Sequence, residues 1–223
     1  MNRPTGLINN EGTCYMNAAL QCLNNIEEFT NYLLNLKPIA NNTIILGEFI
    51  SLIKGLKYDK SPYNPKKIRE KMEKVNKLFK SHKGNDPSDL IIFLFKSLET
   101  DLKNLGLSLN KLWFFEKIKN NESLKVIYDY DIDKTIINDL FNFITKETFF
   151  CYCQKPKYNY QTEQFMILNV NKDDSIESYL NNYKKKYQSE LRCNTCNCSY
   201  IIQKDIPRQK SPLIVIKMRI RPR

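Results

Sequence analysis

No run of this sequence approaches the ~20 consecutive apolar residues that a membrane-spanning helix needs, and its opening stretch, MNRPTGLINN, lacks the apolar core of a secretory signal. A cytoplasmic or nuclear location is expected, with no membrane partner and no secretion. Internal repeats and long linkers are missing too. Histidine occurs once, as His82 in the turn Lys80-Ser81-His82-Lys83. Imidazole is the side chain best suited to carry protons near neutral pH, and this one reads as an exposed turn residue. The seven cysteines are an odd number in an unsignalled chain. That argues against a disulfide framework and turns attention to catalysis and metal binding.

What is present describes a soluble, folded protein. Its 223 residues suffice for one large domain or two small ones, with 42 % apolar and 26 % charged side chains. The formal net charge is +11, a balance that draws nucleic acid when the basic residues gather on one stripe. Here the lysines are scattered, apart from the short run Lys184-Lys185-Lys186, and the crowding of Asn, Lys, Ile, Tyr and Phe is what an AT-rich genome produces. No nucleic-acid partner is expected.

Periodicity divides the chain. Met16, Ala19, Leu20 and Leu23 stand at i, i+3, i+4 and i+7, which predicts a helix from about Thr13 to Leu36 started by Gly12 or Thr13. Helices are also expected over Ile44–Leu56, Lys66–Phe79 and Ser88–Leu102. The last follows Gly84-Asn85-Asp86-Pro87, in which an acid before proline starts a helix, and gathers Leu90, Phe93, Leu94 and Leu98 on one face. Beyond residue 135 the character changes. Ile136–Tyr152, Gln164–Val170, Tyr200–Lys204 and Leu213–Ile220 are rich in Ile, Val, Phe and Tyr and predict strands, with a short helix over Glu177–Gln188. Helices first and strands later predict an α+β fold rather than alternating βαβ units.

Cys14 stands at the start of the first helix. A cysteine attacks as its thiolate, and the unpaired N–H groups and dipole of a helix N-terminus favour that negative charge. An asparagine a few residues upstream can donate its amide to a developing oxyanion. The same position also suits a small buried residue, since free cysteine is among the most buried types. The segment Gly6–Leu23, GLINNEGTCYMNAALQCL, resembles the nucleophile box of the ubiquitin-specific cysteine proteases, G-L-x-N-x-G-N-T-C-Y-M-N-S-x-L-Q-x-L. Gly6, Leu7, Asn9, Thr13, Cys14, Tyr15, Met16, Asn17, Leu20, Gln21 and Leu23 match without a gap. The resemblance implies Cys14 as nucleophile and Asn9 as side-chain oxyanion donor, and leaves Cys22 as a core residue. Two positions depart: Glu11 replaces the family's glycine and Gly12 its asparagine. A carboxylate three residues from a thiol disfavours the thiolate by like-charge repulsion.

GNDPSDLI, residues 84–91, resembles the family's Q-Q-D-A-x-E-F-L helix start, with both glutamines replaced. It implies Asp86 and Asp89 as acids lining the channel for ubiquitin's arginine-bearing tail. Acids in a first helical turn also serve simply as capping and dipole residues. Cys193-x-x-Cys196 has the spacing of a zinc knuckle, and Cys151-x-Cys153 is its natural partner upstream. On a strand, residues i and i+2 face the same side, so both members of the C-x-C pair can address one metal. Cys198 can replace a neighbour, and four unliganded thiols are the other reading. FFCYC and LRCNTC resemble the family's zinc-binding fingers, which implies one structural zinc, since four thiolates leave no open catalytic position.

The family's catalytic histidine lies in a G-H-Y box beyond a palm strand, P-x-x-L-x-x-x-L-x-R-F, which Pro212–Arg221 resembles. No residue here matches that histidine box. The resemblance therefore implies a papain-like α+β architecture with a helical thumb over 1–135, β-rich zinc fingers over 136–212 and the first part of a truncated palm over 213–223. The implied activity is thiol-dependent hydrolysis of ubiquitin C-terminal isopeptide bonds. The alternative is a catalytically inactive ubiquitin-binding pseudoenzyme. Ubiquitin or ubiquitinated proteins are the expected partners, with a second chain as the candidate to complete the palm and its exposed edge.

Overall fold

Apolar residues three and four apart turn the first half of the chain into helices. The computed structural model describes residues 5–9, 12–37, 43–80, 85–108, 134–170, 175–206 and 215–220. Helix α1 (Cys14–Asn24) buries Met16, Ala19, Leu20 and Leu23, the face its periodicity predicts. The single helix expected as far as Leu36 breaks instead at Asn25. There both the backbone N–H, at 3.2 Å, and the side-chain Nδ2, at 2.7 Å, donate to Gln21 O and close the last turn. Ile26 turns extended, and α2 (Glu27–Leu34) restarts with Glu27 and Glu28 in its first turn, where the helix dipole favours acids.

Helix α3 (Leu46–Tyr58) is buried along Leu46, Phe49, Ile50, Leu52, Ile53, Gly55 and Leu56. Helix α4 (Lys66–Val75) gives way at Asn76, whose side chain accepts from Leu78 N at 3.0 Å, and the helix expected as far as Phe79 finishes as a 3-10 turn over Lys77–Lys80. Helix α5 (Pro87–Asn104) starts as the Asp-Pro signal predicts: Asp86 is the N-cap and Pro87 the first helical residue. α1 packs on α2 and α5, and α3 on α2, α4 and α5. Phe29 and Phe49 meet at 5.9 Å and Phe79 and Phe93 at 5.0 Å, tilted pairs that fill the spaces between helices.

The described residues divide into two compact units, the first holding those up to Ile137 and the second those from Asn138 on. Ile136–Tyr152, expected as one strand, is a helix, α6 (Ile136–Phe141), followed by strand β1 (Phe143–Cys151). Ile136, Ile137, Leu140 and Phe141 are buried at helical spacing, a short apolar run that periodicity cannot separate from a buried strand.

Strands β2 (Gln154–Glu163), β4 (Tyr187–Arg192) and β5 (Ser199–Asp205) join β1 in an antiparallel sheet of order β2-β1-β5-β4. Neither edge strand is predicted by hydrophobic pattern, because both are polar and mostly exposed, and β2 carries Pro156, which an edge tolerates. The helix expected to reach Gln188 is α7 (Ile176–Tyr183). Strand β3 (Phe165–Val170) pairs in parallel with β6 (Val215–Ile220), Phe165 opposite Val215. Phe143, Met166 and Tyr179 form a buried cluster in this unit, with Leu180 and Ile206 against it. Among the described residues no helix is long and apolar enough to cross a membrane.

Candidate active site and metal centre

Cys14 is the first residue of α1 and is exposed, which does not fit a packing role at the helix start. Its neighbour Thr13 is buried, and the hydroxyl does not cap the helix. Instead Thr13 Oγ1 donates to Asn9 Oδ1 at 3.0 Å. That bond engages the oxygen of the Asn9 amide and leaves Nδ2 as the donor end of an exposed side chain one loop from the thiol. Cys22 is exposed too, a correction to its placement in the core. Met16, Ala19, Leu20 and Leu23 suffice to bury the helix, and Cys22 falls outside their stripe.

The loop carrying Asn9 is held from two sides. Gly6 O accepts from Tyr63 N and Ile8 N donates to Tyr63 O, both at 2.9 Å, a parallel bridge of Leu7 with Tyr63. From α1, Asn17 Nδ2 donates to Ile8 O at 3.1 Å and Gln21 Nε2 to Thr5 O at 3.3 Å. Two polar residues of the nucleophile box therefore tie the preceding strap to the helix that bears Cys14. At the next turn of the site, Asn85 Nδ2 donates to Leu78 O at 3.0 Å and to the Tyr15 hydroxyl at 3.3 Å. An amide thus joins the start of α5 to the residue after Cys14. Asp86 and Asp89 are both exposed in the first turn of α5, and Asp86 accepts from Ser88 N at 2.8 Å and Ser88 Oγ at 2.6 Å.

The second constellation lies at one end of the four-stranded sheet. Antiparallel pairing of the end of β1 with the start of β5 sets the β1–β2 turn beside the β4–β5 turn. Cys151 ends β1 and Cys153 lies in the turn, so it is the turn and the irregularity between Phe149 and Cys151, rather than alternation along a strand, that bring this pair together. The Sγ–Sγ distances are 3.4 Å for Cys151–Cys153, 3.2 Å for Cys151–Cys196 and 3.5 Å for Cys153–Cys193. All four sulfurs lie within 4.8 Å of one another.

Those lengths are far from the ~2.05 Å of a disulfide. They approach the edge of about 3.8 Å that four sulfurs about 2.3 Å from a tetrahedral zinc would show. The surroundings favour thiolate at one corner. Backbone N–H groups of Cys196 and Thr195 and the Tyr200 hydroxyl hold the Cys193 thiol down to about 5. Cys153, hydrogen-bonded among the sulfurs of Cys196, Cys151 and Cys193, is pushed well above its ordinary value. Gln154 Nε2 donates to Cys193 Sγ at 3.1 Å and to the Tyr200 hydroxyl at 2.9 Å. Asn197, in a left-handed conformation at φ 55°, closes the knuckle, with Asn197 N bonded to Cys193 O and Cys193 N to Cys198 O, both at 2.9 Å. Cys198 enters the turn through its carbonyl and is outside the quartet.

A family model for ubiquitin carboxyl-terminal hydrolases matches residues 5–208. The chain belongs to the ubiquitin carboxyl-terminal hydrolase family. It is 27 % identical over 194 residues to ubiquitin carboxyl-terminal hydrolase 15 of Rattus norvegicus, covering 78 % of this chain and 20 % of that protein. Ubiquitin carboxyl-terminal hydrolase 36 of Drosophila grimshawi is 19 % identical over 223 residues, covering 94 % of this chain and 17 % of that one. The fold matches a chain of the SAGA Ubp8/Sgf11/Sus1/Sgf73 DUB module bound to ubiquitin aldehyde, with a TM-score of 0.71 at 17 % identity, over 98 % of this chain and 48 % of that chain. The chain thus spans about a fifth of the curated relatives' length and about half that of the structural one. The fold that the two share is α+β, and in this chain helices lead into a four-stranded antiparallel sheet.

Within the family's nucleophile box, the substitution at Gly12 has a backbone reason. Gly12 has φ 72°, the left-handed region that glycine enters freely and asparagine better than most residues. Glu11 and His82 lie outside the described residues.

Proposed function

We propose that this chain carries the nucleophile of a ubiquitin-directed thiol hydrolase. The observation that carries the reading is the exposed Cys14 at the first turn of α1, behind an Asn9 whose amide oxygen is already engaged by Thr13. In this reading the Cys14 thiolate attacks the carbonyl carbon of the bond after ubiquitin's terminal glycine, and the displaced electron pair moves to the carbonyl oxygen. Asn9 Nδ2 and the N–H groups at the start of α1 stabilise that oxyanion. Collapse expels the amine, which takes up a proton, and water then cleaves the thioester. Asp86 and Asp89 offer carboxylates to the arginines of the ubiquitin tail, Asp86 while capping α5. The proton acceptor is assigned to none of the described residues.

The family's names support ubiquitin as the ligand, and the likeness to a module of several named proteins supports a second chain as partner. Cys151, Cys153, Cys193 and Cys196 fit a single structural zinc, whose work is to clamp the two hairpin turns together.

The test exposes the purified protein to ubiquitin bearing a C-terminal thiol-reactive warhead, with Cys14→Ala alongside. An adduct mapped to Cys14 by mass spectrometry, and lost in the variant, is the expected result. Ubiquitin that binds without an adduct would establish the pseudoenzyme. A folded protein that neither binds nor reacts would reject both. If the adduct forms and turnover is measurable, Asn9→Ala is expected to lower kcat by about 10²–10³, as loss of one oxyanion donor does elsewhere, with KM nearly unchanged.

A further inference from the structure

Asn9 follows a strap, and among the described residues the backbone hydrogen bonds of that strap to groups outside the nucleophile box run to a single residue. Gly6 O and Ile8 N, the two groups that face away from α1, are both bonded to the backbone of Tyr63. Tyr63 in turn lies on α3 at a place where the helix has no side chain. A β-carbon at Gly55 would fall within the Tyr63 ring, overlapping Cδ2 and Cε2. Gly55 is buried inside α3, and its φ is not one that demands glycine, so the ring, rather than the backbone, accounts for the missing side chain. The Thr5 hydroxyl adds a bond to Asp59 O at 2.7 Å, just past the end of the same helix.

We propose that the Gly55–Tyr63 contact is a positioning device for the nucleophile loop: the ring seated on bare helix sets the Tyr63 backbone, which sets the Gly6–Ile8 strap, which sets Asn9. The proposal rests on the reading of Asn9 as oxyanion donor. In this role Gly55 and Tyr63 are positioning residues that act through the strap. The Tyr63 bonds to the strap are made by backbone atoms, so the side chain matters only as the part that locates them.

The sign of one substitution separates this from ordinary packing. Replacing a glycine inside a helix by alanine stabilises the helix. Gly55→Ala should therefore preserve α3, yet displace the ring and loosen the strap. The expected results are amide exchange at Ile8 and Tyr63 at least tenfold faster, with the amides of α3 and α5 unchanged, and a kcat on a fluorogenic ubiquitin substrate lowered about tenfold or more at unchanged KM. In Tyr63→Ala the ring is gone, and adding Gly55→Ala is expected to cost nothing further. Such non-additivity marks two residues acting through one contact. Unchanged exchange at Ile8 and Tyr63 in Gly55→Ala would overturn the proposal, as would losses that add in the double variant. A wild-type protein without turnover would count against the proposed function instead, and the exchange measurements, which need no substrate, would then decide the strap.

Discussion

Cys193→Ser is expected to release the metal and to melt the cysteine end of the four-stranded sheet while helices α1–α5 keep their protection. Apolar burial cannot hold that end. Between residues 149 and 160 and between 187 and 203, Cys193 and Ile202 are the only buried side chains. Structural zinc contributes about 10–16 kcal/mol in small zinc-dependent folds at neutral pH, as much as the ~5–15 kcal/mol that separates a whole native domain from its unfolded chain. With one ligand lost, the Cys151 sulfur still has those of Cys196 and Cys153 at 3.2 and 3.4 Å, with no cation between them. The measurement is zinc content together with amide exchange along the β1–β5 ladder, Phe149 opposite Ile202 and Phe150 opposite Ile201. Cys198→Ser is the control and should keep stoichiometric zinc, because Cys198 contributes a carbonyl to the knuckle and no sulfur to the quartet. Zinc retained in Cys193→Ser would remove Cys193 from the ligand set, and zinc lost with the ladder still protected would rule out a structural role for the metal.

How far the sequence carries depends on whether an interaction is local. Helix α1, the Asp86–Pro87 start of α5 and the pairing of the two cysteine motifs were legible, because each is written in residues a few positions apart or in a metal-ligand spacing. The polar edge strands β2 and β4 were not. Their apolar content is low, and what makes them strands is hydrogen bonding to β1 and β5, partners that periodicity does not identify. The run at Ile136 was apolar enough to be read and too short to be assigned. In the candidate site, Cys14 and Asn9 were legible from one box. The Thr13–Asn9 bond, the Asn85 bridge to Tyr15 and the seat of Tyr63 on Gly55 were not, since each needs side-chain geometry or a partner many residues away. Asp101 left a trace that was readable in principle: it continues the stripe of Leu90, Leu94 and Leu98, an acid on a face that otherwise faces the core.

That acid makes the other large prediction. Asp101 is 2 % exposed, and its carboxylate accepts three backbone N–H groups at the start of α3, from Ile44 at 2.7 Å, Ile45 at 2.8 Å and Leu46 at 2.9 Å. A side chain of α5 thereby caps another helix across 55 to 57 positions of sequence, and its charge sits where the α3 dipole favours it. Asp101→Ala would leave N–H groups of the fully buried Ile45 and Leu46 without acceptors. At about 1–3 kcal/mol for each buried donor, a loss of about 3–5 kcal/mol is expected, a large share of the total stability of a domain. Asp101→Asn keeps the shape but turns one acceptor into a donor facing N–H groups, so it should also cost about 2–4 kcal/mol rather than behave as a neutral isostere. Urea denaturation followed by helix signal would show a lower midpoint at constant slope for both. A cost below about 1 kcal/mol for Asp101→Asn, in the range of a solvated surface group, would mean that the carboxylate does not hold α3 as drawn. Because α3 carries Gly55, a true cap at Asp101 should also be felt at the strap, as faster exchange of the Ile8 amide before the helix itself unfolds.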